Sequence, residues 1–127
     1  MFEQHKRVMI RAELAGSGKS YACEKMRARG HNVIFVCPTN VLAEKYKEHG
    51  CTLNKFFGIG LTEESKVTRF DDTNYDTIVF DEIFFYSVRR LARIKRYCEE
   101  NPEKIVIATG DTKQLKAIDV ILSLIHI

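Results

Sequence analysis

None of the four cysteines, Cys23, Cys37, Cys51 and Cys98, forms a Cys-x-x-Cys pair, and His49 beside Cys51 has no second pair at zinc spacing. A metal centre built by cysteines is therefore not expected, and the thiols read as buried groups of a reducing compartment. Long apolar runs are missing as well. The longest, such as Val33 to Cys37, are strand-sized and far below the ~20 residues that cross a bilayer. Met1 to Arg11 lacks the apolar stretch of a secretory signal peptide, so an intracellular address is expected, in cytoplasm, nucleus or a viral replication site. Neither sign of charge dominates. The 20 Lys and Arg face 17 Asp and Glu, and the formal +3 is compatible with a polyanionic partner but demands none. The chain carries no internal repeat and no low-complexity tract.

What is present is an ordinary globular composition, 45% apolar and 29% charged over 127 residues. A chain of this size buries about two thirds of its unfolded surface, enough for a core. It is short for an enzyme that must also close over a substrate. Hydrophobic runs alternate with helix-period segments, which predicts an α/β fold with a mostly parallel sheet flanked by helices. Val8 to Ile10 reads as a first strand, and Lys19 to Arg29 as a helix ended by Gly30. Asn32 to Cys37 is a second strand, followed by a short helix from Val41 to His49 with Leu42 and Tyr46 on one face. Phe57 to Asp76 is polar and without clear period, an excursion in which Val67 to Phe70 can pair as an edge strand. Thr77 to Phe80 is a third strand, apolar on both faces as a central parallel strand requires. Ser87 caps a helix with Val88, Leu91, Ala92 and Cys98 inward, stopped near Pro102. Ile105 to Ala108 is a fourth strand.

Two places carry chemistry. Ala15, Gly16, Ser17, Gly18, Lys19 and Ser20 stand between the first strand and the first helix, the context that makes a glycine-rich string a phosphate cradle. Glycines let backbone N–H groups turn toward phosphate oxygens, and the helix points its positive end to the same place. Lys19 then reaches the β and γ phosphates of ATP, and Ser20 binds Mg²⁺. The full pattern asks for glycine at position 13, where this chain has Glu13. Such a carboxylate repels a triphosphate unless it points outward or pairs with a neighbour such as Arg11. The second place is Asp81-Glu82 at the end of the third strand, where Asp81 would hold Mg²⁺ and Glu82 orient or deprotonate the attacking water.

Read in order, AGSGKS, Pro38-Thr39-Asn40, TLNKFF, FDEI and GDTKQL resemble motifs I, Ia, the T-x-H segment, II and III of superfamily 1 helicases. The last resembles the RecD-like branch, and FDEI resembles helicases of large DNA viruses and mobile elements. The resemblance spans roughly Val8 to Asp119 and implies a RecA-like P-loop NTPase core with ATP and Mg²⁺ as cofactors. It implies that Gln114 senses the γ-phosphate and that Asp111 helps fix the magnesium and water shell. Pro38, Thr39 and Asn40 would touch the nucleic-acid backbone. Thr52 matches the T-x-H segment, whereas Asn54 stands where that segment has His. Phe56 and Phe57 read either as base-stacking groups or as a core pair anchoring the loop. The run Arg89, Arg90, Arg93, Lys95 and Arg96 reads either as a solvated face or as a phosphate contact.

The resemblance also implies a partner. Superfamily 1 helicases complete their active site with arginines from a second RecA-like domain, for which 127 residues leave no room, and an adenine-reading motif has only Gln4 as candidate. The expectation is therefore a first RecA-like domain over residues 1–121, moving 5′ to 3′ on single-stranded DNA once completed, with residues 122–127 (LSLIHI) as a non-native tail. A stand-alone P-loop switch that binds a partner is the competing reading. A small-molecule kinase ranks below both, since GDTKQL has no task in one.

Overall fold

A computed structural model describes residues 7–12, 26–60 and 68–111, the first stretch and residue 111 by their backbone. Among the described residues, five parallel strands make one sheet: β1 (Arg7–Ala12), β2 (Val33–Cys37), β3 (Gly50–Thr52), β4 (Thr77–Phe80) and β5 (Ile105–Asp111). Their spatial order is β1-β5-β4-β2-β3, so β5 lies between β1 and β4. The register sets Ala12 beside Asp111 and Phe80 beside both Val36 and Ala108. The α/β class and the parallel sheet are as the alternation of patterns predicts.

β2 and β4 are buried along their whole length. Ile34, Val36, Ile78, Phe80, Val106 and Ala108 share one face, and Val33, Phe35, Val79, Ile105 and Ile107 the other, so both faces must be covered. On the first face lie α2 (Leu53–Phe57) and α3 (Val88–Glu100), and on the second lies α1 (Asn40–Glu44) with Met26. Each of these three helices starts on a hydroxyl cap. Thr39 accepts from the Leu42 N–H, Thr52 from Lys55 and Ser87 from Arg90, at 3.2 Å in each case. Gly30 adopts φ +95° where its N–H donates to Arg27, the left-handed stop expected of it.

The structure departs from the sequence pattern in four places. The helix expected over Val41 to His49 ends at Glu44, and a 3₁₀ turn, Lys47–His49, follows with Lys47 at φ +53°. The edges of the sheet belong to β1 and β3, and the described residues 68–70 form no strand. Residues 68–76 are also tied to the core. Tyr97 donates to the Asp72 carboxylate, Lys104 Nζ donates to the Asp72 and Tyr75 carbonyls at 2.8 and 2.5 Å, and Phe70 stacks on Phe56. Finally, α3 turns Leu91, Ile94, Tyr97 and Cys98 inward, while Val88 and Ala92 are exposed.

Candidate functional site: the carboxyl edge of the sheet

Parallel strands end together, so β1, β2, β4 and β5 deliver Ala12, Cys37, Phe80 and Asp111 to one edge, where ligands of open α/β sheets bind. At ~4.8 Å per strand, β1 and β4 run roughly 10 Å apart with β5 between them, and β1 continues past the level of Phe80, to that of Asp111. Asp81 leaves β4 at this edge and is only 3% exposed. Its N–H donates to the Val36 carbonyl at 2.8 Å, one more rung of the ladder beyond the strand proper. Its carboxylate is gripped from two sides. Thr109 Oγ1 donates to Oδ1 at 2.5 Å, and Tyr46 Oη donates to Oδ2 at 3.1 Å.

Thr109 reaches Asp81 because of register. Ala108 is level with Phe80, so the next residue of β5 comes level with the next residue of β4. The same hydroxyl accepts from the Glu82 N–H at 3.3 Å. Glu82 itself sits at φ 53°, ψ 52°, left-handed for a residue with a Cβ and costing about 1–2 kcal/mol. That turn breaks the strand and leads into a 3₁₀ turn, Ile83–Phe85. Gly110 makes room for it, since a Cβ there would stand 2.4 Å from the Phe84 ring. The glycine before Asp111 thus has a packing reason in this chain. Tyr86 then donates to the Val36 carbonyl at 2.9 Å, and burial pushes its phenol far above the usual range.

Of the nucleic-acid candidates, Thr39 and Asn40 are exposed beyond β2, and Pro38 is half-buried. Thr39 and Thr52 use their oxygens as cap acceptors, which leaves each hydroxyl hydrogen for another partner. Asn54 is exposed two residues after Thr52. Phe56 and Phe57, 1% and 7% exposed, are core residues and do not present a face for stacking. In the basic run of α3, Arg93 lies over the Phe57 ring at 4.5 Å and reaches Glu100 at 3.8 Å, while Arg89 and Arg96 are exposed. Residues 15–20, with Lys19 and Ser20, lie outside the described residues, as do Glu13, Gln114 and the segment 122–127. Asp111 is described by its backbone at the end of β5.

A cavity of about 460 Å³ opens at the opposite edge beside His31, Asn32 and Tyr75. It is a polar cleft around paired groups, Arg27 with His49 at 2.8 Å and His31 with Asp76 at 3.3 Å, and it is far from Asp81 in the fold. Two site residues escaped sequence reading. Thr109 follows the apolar run Ile105 to Ala108 with a hydroxyl, which is a usable signal; Tyr46 gave none, because its i,i+4 spacing with Leu42 also describes a packed face.

A family model described as an AAA domain matches residues 1–121. The chain belongs to that family. Two solved structures share the fold of this AAA domain. One is of two coordinating Pif1 helicases unwinding forked double-stranded DNA, with TM-score 0.60 and 22% identity over 87% of this chain and 30% of that one. The other is Bacteroides Pif1 bound to single-stranded DNA, with TM-score 0.58 and 21% identity over 94% of this chain and 34% of that one. The AAA domain described here therefore spans about a third of the length of either. No curated protein matches it. No helix among its described residues is long and apolar enough to cross a membrane.

Proposed function

We propose that this AAA domain is the ATP-binding motor domain of an ATP-dependent DNA helicase of superfamily 1, RecD-like branch. Its ordered motifs and its fold support that reading, and the FDEI wording supports an origin in a large DNA virus or mobile element. The observation that carries it is Asp81, a buried carboxylate at the carboxyl edge of β4, one strand removed from the strand that leads into the phosphate-loop string.

The residues present fit a magnesium ion, which takes oxygen ligands and needs a carboxylate held still. Asp81 supplies that carboxylate, already oriented by the Thr109 and Tyr46 hydroxyls, and Ser20 would complete the protein's share. When bound, Mg²⁺ neutralises charge on the β and γ phosphates. Lys19 and the backbone of residues 15–18 would bind those phosphates. Glu82, turned out of the strand direction by its left-handed backbone, would orient or deprotonate the attacking water, and Gln114 and Asp111 would report the γ-phosphate to the rest of the chain. Pro38, Thr39, Asn40, Thr52 and Asn54 would touch single-stranded DNA, and 5′ to 3′ movement would need a second RecA-like domain.

Calorimetry with ATP and Mg²⁺ tests the reading. The chain should bind magnesium nucleotide, and Lys19→Ala should remove binding while the fold, followed by circular dichroism, persists. Equal binding by both proteins refutes the assignment.

A further inference from the structure

We propose that Tyr46 is a positioning residue for Asp81, and that it ties the segment 38–46 to the carboxylate assigned to magnesium. The inference rests on the reading of the site given above, with nucleic acid at Pro38, Thr39 and Asn40. The contact spans 35 positions in sequence: Tyr46 Oη donates to Asp81 Oδ2 at 3.1 Å.

Three features hold that hydroxyl in place. The Tyr46 ring lies flat on Phe35, with centroids 3.9 Å apart and planes within 1°. Phe35 is 1% exposed in the middle of β2, so the ring beneath is fixed by the core. The backbone of the turn is closed at both ends, Tyr46 N–H to the Ala43 carbonyl at 3.1 Å and His49 N–H to the Tyr46 carbonyl at 3.0 Å. Gly50 then lets this turn settle on β3. A Cβ at position 50 would stand 2.4 Å from the Ala43 carbonyl oxygen and 3.0 Å from the Tyr46 Cβ. Backbone sets the first limit, so relief means moving the turn.

The other end of this block is Thr39, which caps α1, so only six residues separate the cap from the tyrosine. A ligand that shifts Pro38, Thr39 or Asn40 shifts a short, closed unit whose far end is the Tyr46 hydroxyl. The Asp81 carboxylate is held at Oδ1 from β5 and at Oδ2 from this block. Moving one donor against the other rotates the carboxylate and changes the lone pairs it offers to a cation. Tyr46 thereby links nucleic-acid occupancy to metal-dependent nucleotide binding, and by linkage the reverse.

The test measures ATP affinity with Mg²⁺ and with EDTA, with and without oligo(dT), in wild type, Tyr46→Phe, Gly50→Ala and Asp81→Asn. Tyr46→Phe removes the hydroxyl and keeps the ring. It should weaken magnesium-dependent affinity about tenfold, the range for a hydrogen bond to a charged group, and leave affinity in EDTA unchanged. On the Asp81→Asn background it should have no further effect. Gly50→Ala, which displaces the tyrosine but keeps its hydroxyl, should show the same selective loss. The factor by which oligo(dT) and magnesium ATP alter each other's affinity should fall toward one in Tyr46→Phe. Wild-type magnesium affinity in Tyr46→Phe, an equal loss in EDTA, a loss that persists beside Asp81→Asn, or an unaltered oligo(dT) factor each overturns the proposal. Absence of magnesium-dependent nucleotide binding in wild type refutes the underlying reading and the proposal with it, a result distinct from the others.

Discussion

Asp81 shows how much of a candidate site residue's setting depends on neighbours that sequence does not put beside it. A carboxylate 3% exposed needs donors, and it takes them from Thr109 and Tyr46, 28 and 35 positions away. Cys51 is a simpler case of environment acting on chemistry. Burial in the edge strand raises its thiol from 9.0 to about 11, with Lys55 nearby opposing the shift. The folded state therefore disfavours the thiolate, and the unfolded chain ionises first. Stability from this group is complete below pH 9 and is lost as pH rises through 11, by roughly 2 kcal/mol. Urea unfolding at pH 8 and pH 11 should show wild type losing that much more than Cys51→Ala. At pH 8 the native thiol should also resist iodoacetamide until the chain is unfolded.

At the scale of elements, α2 (Leu53–Phe57) shows a helix fixed by its ends and its aromatic payload. Thr52 caps it, Gly58 at φ +69° stops it, and Phe56 packs edge-on against Phe57, Phe80 and Tyr97 at centroid distances of 5.2 to 6.1 Å. Phe56→Ala should therefore cost about 3–5 kcal/mol in chemical denaturation. With Phe56 in the core, a more conservative Phe56→Leu should keep the affinity for oligo(dT) of the folded fraction, whereas a base-stacking residue would not. α3 (Val88–Glu100) shows what patterning misses. Its inner stripe is Leu91, Ile94, Tyr97 and Cys98, and at 3.6 residues per turn Val88 and Ala92 fall roughly 110° and 150° from its centre. Both are apolar, yet helical phase places them off the buried stripe. β3 (Gly50–Thr52) escaped because three residues carry no period, and its pairing with β2 exists only once the preceding turn is folded back.

For the whole molecule, the edge that gathers Asp81, Glu82 and Thr109 is half of a hydrolysis site by the reading proposed above. Arginines supplied by another domain are worth roughly 10³ to 10⁵ in rate in related P-loop chemistry. The isolated chain should thus hydrolyse ATP very slowly even with single-stranded DNA, and a fused or added second RecA-like domain should restore turnover, as followed by phosphate release. Brisk DNA-stimulated hydrolysis by the 127-residue chain alone would contradict that division of labour.

Alternation of apolar runs with helix-period segments determined the α/β class, and strand-length runs located four of the five strands, because central parallel strands must be apolar on both faces. Ser87 was readable as a cap and Gly30 as a stop, since both act on backbone groups a few residues away. Those are local effects. Tertiary structure alone decided that β5 stands between β1 and β4, that Thr109 comes level with Asp81, and that Gly50 brings the Tyr46 hydroxyl to the same carboxylate. Each depends on strand register or close packing between distant segments, and no short window of sequence contains both partners.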